Sequence, residues 1–197
     1  MKIYAISLVK NEEDIIEKNL PQLPNGAIKI YVFDNGSTDK TWEIVNRLKS
    51  AEIIPYKCSD VPYRDALRQE VFEYFRHELT DGDWVCFKMD ADKFYIDDPR
   101  DFLGSLKPWI SMVFGANIEY QFTKDNIYDT QFEFDNFKYA LIPSCEQRFI
   151  KYRKKLVWNV GDSIPLHPGI ATKKFIKFAH YQFRNREQIT RRLNTGK

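Results

Sequence analysis

Ile28-Lys29-Ile30-Tyr31-Val32-Phe33-Asp34-Asn35-Gly36-Ser37-Thr38-Asp39 is the stretch that decides how the chain is read. Its first six residues are largely β-branched or aromatic and of strand length. They run into Asp-Asn-Gly-Ser, whose side chains and flexible glycine favour a turn. Ser37 or Thr38 can then cap a helix with Trp42, Val45 and Leu48 on its inner face. The same unit recurs on either side. Upstream, Ile3 to Val9 is an apolar strand that meets Lys10-Asn11-Glu12, and Asp14 to Leu20 has helical spacing before Pro21. Downstream, Ile53 to Tyr56 reads as a short strand and Asp65 to Leu79 as a helix with Leu67, Val71, Phe72 and Phe75 at core spacing. Trp84 to Met89 is a fourth strand entering Asp90-Ala91-Asp92.

Strands alternating with helices imply βαβ crossovers, and so an α/β fold with helices on both faces of a mainly parallel sheet. Ligands of such sheets bind beyond the carboxyl ends of the strands. Parallel strands point one way, so Lys10–Glu12, Asp34–Asp39 and Asp90–Asp92 are expected at one edge. The second half is less regular. Residues 109–120 and 130–142 alternate aromatic with polar residues and read as extended segments adding antiparallel strands, and Glu187 to Leu193 reads as a terminal helix. Neither an internal repeat nor a linker divides the 197 residues, which are read as one domain.

Composition excludes several classes. The chain has 15 Phe, 11 Tyr and 4 Trp, too many aromatics for a disordered chain. Cys58, Cys86 and Cys145 form no CxxC pair, which excludes a disulfide framework or a cysteine-based zinc site and fits a reducing compartment. No run approaches the roughly 20 apolar residues of a bilayer span, and the N-terminus turns polar too soon for a signal peptide. A cytoplasmic location is expected. The formal charge of +2 hides an asymmetry: residues 1–146 carry 17 Lys+Arg against 26 Asp+Glu, and residues 147–197 carry 13 against 2. A basic last quarter suits phosphates, nucleic acid or peripheral contact with an anionic membrane, or is simply a solvated face.

Two carboxylates spaced i, i+2 at a strand end, Asp90 and Asp92, can share a divalent cation, or one can hold metal while the other accepts a ribose hydroxyl. Oxygen ligands with open positions suit Mg²⁺ or Mn²⁺ bound through a diphosphate. A DxD triplet is common in surface turns. Its place after an apolar strand, beside two other polar strand ends, is what gives it weight. Asp34 can accept from a base or ribose, and Asn11 and Glu12 stand in the equivalent place after the first strand. For all three, plain turn or capping chemistry is the alternative.

The set Ser7-Leu8-Val9-Lys10-Asn11-Glu12, Val32-Phe33-Asp34-Asn35-Gly36-Ser37-Thr38-Asp39 and Asp83-Trp84-Val85…Met89-Asp90-Ala91-Asp92 resembles family 2 glycosyltransferases of the GT-A fold. The closest match is to the branch with "vkNE", "DNgStD" and "DaDEf" motifs. His180-Tyr181-Gln182-Phe183-Arg184-Asn185-Arg186-Glu187-Gln188 is similar to that branch's closing "HY..RS.eQ" segment. The resemblance implies a Rossmann-like three-layer α/β/α sandwich, with residues 1–100 as the nucleotide-sugar half and 101–197 as the acceptor half. It implies a metal-dependent, inverting transfer from a nucleotide-diphosphate sugar, a UDP-sugar by the family's habit, to a glycan, lipid-linked or protein acceptor. Asn11, Glu12 and Asp34 would hold base and ribose, with Arg68 near the nucleotide (Arg64 is its rival). Asp90 would face ribose and metal, and Asp92 and His180 would hold Mn²⁺ or Mg²⁺. Arg184, Arg186 and Arg191 would neutralise the diphosphate.

Two departures stand out: the family's Glu in "DaDEf" is Lys93, and the chain is short for this fold. An inverting transfer needs a carboxylate to take the acceptor's proton. After residue 140 only Glu146, Asp162 and Glu187 are acidic. Asp162, in Trp158-Asn159-Val160-Gly161-Asp162-Ser163, is chosen over Glu146, and His167 is expected on the acceptor side. Two alternatives frame this reading. One is a non-catalytic nucleic-acid or polyanion binder stacking bases on Phe175, Phe178, Tyr181 and Phe183, which leaves the acidic strand ends unexplained. The other is an inactive sugar-nucleotide-binding relative.

Overall fold

The computed structural model describes residues 1–22, 28–129, 131–142, 144–159, 161–162, 164–166 and 169–195. The four expected strands form β1 (Ile3–Val9), β2 (Ile28–Asp34), β3 (Ile53–Cys58) and β4 (Trp84–Cys86). They pair in parallel in the order β3-β2-β1-β4. Alternation then sorts their side chains. Ile3, Ala5, Val9, Ile28, Ile30 and Val32 face one side and pack with Ile15, Ile16 of α1 (Ile16–Asn19), Ile44 and Val45 of α2 (Thr41–Arg47) and Leu103 of α4 (Pro99–Gly104). Tyr4, Ile6, Tyr31 and Phe33 face the other side and pack with Leu67, Val71, Phe72 and Phe75 of α3 (Leu67–Phe75). The Tyr31 ring stacks on Phe75 at 4.4 Å. Each of these α3 side chains contributes about 1.5–3 kcal/mol by leaving water. The result is three layers, α/β/α.

The irregular half extends the same sheet. β8 (Cys145–Lys151) runs antiparallel to β4, β6 (Ile110–Tyr120) antiparallel to β8, β9 (Ile170–His180) parallel to β6, and β5 (Lys93–Tyr95) antiparallel to β9. Most residue pairs across the sheet lie in parallel ladders. Residues 131–142 supply only the two-residue β7 (Ala140–Leu141), paired with β6, and a 3₁₀ turn at Phe134–Asn136, so the expectation of a long extended segment there is corrected. Phe132, Phe134 and Phe137 instead curl around Tyr181, which makes a compact aromatic cluster more favourable than an exposed strand. The terminal helix is α5 (Arg186–Thr195).

β9 reaches back to the strand-end edge because Gly115 of β6 has no side chain. A Cβ there would lie 2.1 Å from the Phe178 ring, which fills the space and carries the Arg148 guanidinium 4.3 Å above its centroid. Among the described residues no helix is long and apolar enough to cross a membrane.

Candidate active site

Parallel pairing brings the three polar strand ends together. Asn35 N donates to Val9 O at 2.8 Å, and Asn11 N to Ser37 Oγ at 2.9 Å. Asn11, at φ 57°, turns its amide oxygen to accept from Thr38 N at 2.8 Å, and Glu12 N donates to Thr41 Oγ1 at 2.8 Å. Asparagine is among the few side chains that tolerate this backbone. Ser37 is therefore a bracket between loops and not a helix cap. The helix starts later, at Thr41, where Asp39 Oδ1 accepts from Thr41 N at 2.9 Å. Gly36, at φ 73°, is needed because a Cβ would strike Asp60 at 2.6 Å.

The ends frame a cleft of about 470 Å³, the size of a small-molecule site. Asn11, Glu12, Asn35, Asp90, Asp92 and Lys93 line it from the strand ends, His180, Gln188, Arg191 and Arg192 from the C-terminal segment, and Tyr63 at 47% exposure. Asp34, fully buried beside Asn35, accepts from Ser37 N at 2.6 Å and from the Cys58 thiol through Oδ1. Its Oδ2 is buried with no partner among the described residues, and burial pushes its pKa up despite those hydrogen bonds. Asp34 itself is not in the cleft lining, so a ligand N–H or hydroxyl would have to reach past the surface to meet this orphaned oxygen.

Asp90 and Asp92 differ sharply. Asp90 Oδ2 lies 2.8 Å from Lys93 Nζ and 3.2 Å from Arg148 Nη1, and Oδ1 lies 3.5 Å from Arg68 Nη2. Burial would raise its pKa, but Arg148, Lys93 and Arg68 together hold it well below the carboxylate range. Lys93 points inward. Its Nζ also donates to Glu146 Oε1 at 2.5 Å, and Arg148 Nη2 donates to the same oxygen at 2.6 Å. Arg68, itself buried and outside the cleft lining, also pairs with Asp65 and Tyr63, so it reaches the cleft only through its partners Asp90 and Tyr63. Arg148, in mid-strand and 1% exposed, is a site residue that sequence reasoning missed, because it was counted only within the basic last quarter.

Asp92 has looser partners. Its Oδ2 is 3.5 Å from His180 Nε2 and 3.4 Å from Arg192 Nη2. Burial raises its pKa, the His180 contact lowers it, and the result is about 2. Among the described residues no three His, Cys, Asp or Glu side chains gather as a metal cage. A carboxylate oxygen and an imidazole nitrogen 3.5 Å apart at the cleft do fit a cation that takes its other ligands from diphosphate and water. Glu12 faces Arg192 Nη2 at 3.4 Å through Oε1 and Arg184 through Oε2. Burial pushes it up to about 7, against the pull of Arg184 and with the push of Asp92.

Arg184 corrects an expectation. It is fully buried, donates through Nε to Asp14 Oδ2 at 2.8 Å and through Nη1 to Tyr181 O at 3.1 Å, and pairs with Glu12. It seals the first strand end to the C-terminal segment and does not face a diphosphate. Arg186 is exposed outside the cleft lining, whereas Arg191 lines the cleft, with Nη1 3.1 Å from Asp39 Oδ2. Asp162 is outside the cleft lining. Its carbonyl accepts from Trp158 Nε1 at 2.9 Å, and Gln69 Nε2 donates to Trp158 O at 2.8 Å, which ties this loop to the helix that carries Arg68. Its Oδ2 is buried with no partner among the described residues. His167 lies outside the described residues.

Comparison with solved structures finds the mannosyltransferase PcManGT of Pyrobaculum calidifontis, in complex with GDP-Man and Mn²⁺. It is 12% identical over 98% of this chain and 60% of its own, with a TM-score of 0.54. The two chains share a fold. The resemblance drawn from the motifs pointed to this architecture. S. aureus TarS (1–349) is also similar, at 13% identity over 92% of this chain and 61% of its own, with a TM-score of 0.47. The chain thus matches about 60% of each of these two solved chains, and 24% of a longer TarS chain. No family model matches the sequence, and no curated protein does.

Proposed function

We propose that the chain is a metal-dependent glycosyltransferase of the GT-A type, similar to family 2, that takes a sugar from a nucleotide-diphosphate donor, a UDP-sugar by resemblance. The acceptor is a glycan, a lipid-linked saccharide or a protein, and the transfer is inverting. The observation that carries this reading is the meeting of Asn11–Glu12, the Asp34 loop and Asp90–Asp92 with His180 and two arginines around one cleft. The mannosyltransferase of the same fold holds GDP-Man and Mn²⁺, which supports a nucleotide-sugar donor and a divalent cation here.

Asp34 Oδ2, buried and unpartnered among the described residues, would accept from base or ribose, and Asn11 and Glu12 would shape the same end of the cleft. Asp92 and His180 would hold the cation. When bound, that cation neutralises charge building on the departing diphosphate. Arg191 would share that work from the C-terminal helix. Asp162 is the proposed base, its loop tied to the helix of Arg68. Glu146, clamped by Lys93 and Arg148 and held below its ordinary pKa despite burial, is a poor proton acceptor. A second reading, a sugar-nucleotide-binding relative without activity, is favoured by one observation: Lys93 occupies Asp90. The basic last quarter would serve peripheral contact with anionic membrane in a cytoplasmic protein.

Calorimetric titration of UDP and GDP, with and without Mn²⁺, into wild type and Asp92→Ala tests the donor site. Metal-dependent binding of one nucleotide, weakened about a hundredfold in the variant, is expected. No nucleotide binding under any metal condition overturns the reading. Asp162→Asn is expected to keep donor binding and lose about 10²–10⁴ in turnover, and unchanged turnover would remove it as the base.

A further inference from the structure

Four arginines of the C-terminal half sit within reach of acidic partners at the strand ends, Arg191 on Asp39 among them, and their settings differ. The Arg148 and Arg184 side chains are 2% and 0% exposed, and both are enclosed by carboxylates and carbonyls. The Arg192 side chain is 26% exposed and reaches the cleft from the second turn of α5. That helix is anchored beneath it. Gln188, 1% exposed, donates from its amide nitrogen to Gln182 O at 3.1 Å and from its backbone N to Asn185 Oδ1 at 2.8 Å. The backbone that carries Arg192 is therefore held, while its side chain retains a path to solvent.

Arg192 Nη2 lies 3.4 Å from Asp92 Oδ2 and 3.4 Å from Glu12 Oε1. The Asp92 oxygen it meets is the same one that faces His180 Nε2 at 3.5 Å. One guanidinium thus shares the Asp92 oxygen of the carboxylate–imidazole pair, within the same cleft. Glu12, Asp14 and Asp92 carry three formal negative charges against the single sealed charge of Arg184, so Arg192 supplies part of what a divalent ion would otherwise supply. Cations a few ångströms apart repel. A diphosphate brings enough negative charge to satisfy both a divalent ion and the displaced guanidinium, which can pair with it in bidentate fashion.

We propose that Arg192 is a resident counter-ion of the donor site, held between Glu12 and Asp92 until a nucleoside diphosphate and a divalent cation enter together, when it transfers to the diphosphate. The proposal rests on the donor-site reading above. Divalent binding by the protein alone is then weak, and nucleotide strengthens it. The coupling between the two ligands runs through this one side chain and is reciprocal.

The test is titration of Mn²⁺, followed by the electron paramagnetic resonance signal of the unbound ion, into wild type, Arg192→Gln and Arg192→Lys, each with and without saturating UDP or GDP. Circular dichroism melts check that each variant is folded. Arg192→Gln is expected to bind Mn²⁺ alone about tenfold or more tightly than wild type, the effect of removing one nearby like charge. It should gain less from nucleotide than wild type does. Arg192→Lys, which keeps the charge, should stay close to wild type. Unchanged or weaker Mn²⁺ binding by Arg192→Gln, with wild type showing nucleotide-assisted binding, overturns the role of Arg192 and leaves the donor site standing. No Mn²⁺ binding by any of the three, with or without nucleotide, overturns the donor-site reading and this inference with it.

Discussion

Asp90 and Asp92 stand two residues apart at the end of one strand, yet they are built into different machines. Asp90 is neutralised by Arg68, Lys93 and Arg148, whose side chains are 4%, 12% and 2% exposed and come from α3, β5 and β8. Asp92 meets His180 and Arg192, both brought by the C-terminal segment and both at the cleft. Both carboxylates line the cleft, Asp90 with 25% of its side chain exposed and Asp92 with 11%, so the difference lies in their partners: buried Arg68 and Arg148 cannot leave Asp90 without stranding a charge, whereas Arg192, 26% exposed, can turn to water. The difference teaches that a DxD triplet is not a unit. One carboxylate is consumed in joining three parts of the sheet edge, and the other keeps replaceable partners.

The comparison can be broken by mutation. Asp90→Asn leaves Arg68, Lys93 and Arg148 with Asp65 and Glu146 as their remaining carboxylates and is expected to cost about 3 kcal/mol, read as a large fall in the unfolding midpoint. If Asp90→Asn melts like wild type and Asp92→Asn collapses, the assignment of roles is reversed.

Acid unfolding sharpens the same point. The Asp90 carboxyl is held below its ordinary value, so the stability it contributes is fully present above the unfolded-state pKa, about 3.9, and is lost as pH falls toward the folded value. Wild type should therefore lose stability more steeply than Asp90→Asn below about pH 4 in denaturant titrations at stepped pH. Parallel curves would deny Asp90 its role as the hub.

Gly115→Ala is the smallest change expected. The new methyl must push the Phe178 ring and with it the Arg148 guanidinium, at about 1–3 kcal/mol. A calorimetric melt with no shift would mean that the ring and the guanidinium relax together at no cost.

The first hundred residues were legible because each buried strand there is a run of β-branched and aromatic side chains ended by turn chemistry. Ile28 to Asp34 is the clearest case, and parallel pairing then forces the polar ends onto one edge. β4 ends three residues before the expected Met89, since the chain bends at Phe87 and leaves the ladder while staying hydrogen-bonded: Met89 N donates to Ile6 O at 2.9 Å. β8 and β9 were hidden by charge. Glu146, Arg148 and Lys151 share a strand with the core residues Phe149 and Ile150, and β9 exposes Lys173, Lys174 and Lys177, so neither shows clean alternation. The ion pairs escaped for the same reason. Lys93–Glu146 and Glu12–Arg184 join residues 53 and 172 positions apart, and no local pattern announces a partner at that distance.

That last pair has a consequence for how the protein is made. A chain leaves the ribosome from its N-terminus, and its early segments settle first. Here the first strand end acquires its buried cation only when Arg184 arrives, 170 residues after Asp14. Until then Glu12 and Asp14 face water uncompensated, and the cleft lacks His180 and the α5 arginines. The nascent sheet can be assembled and still be unable to take a ligand, so competence arrives in a single late step, with the closing segment.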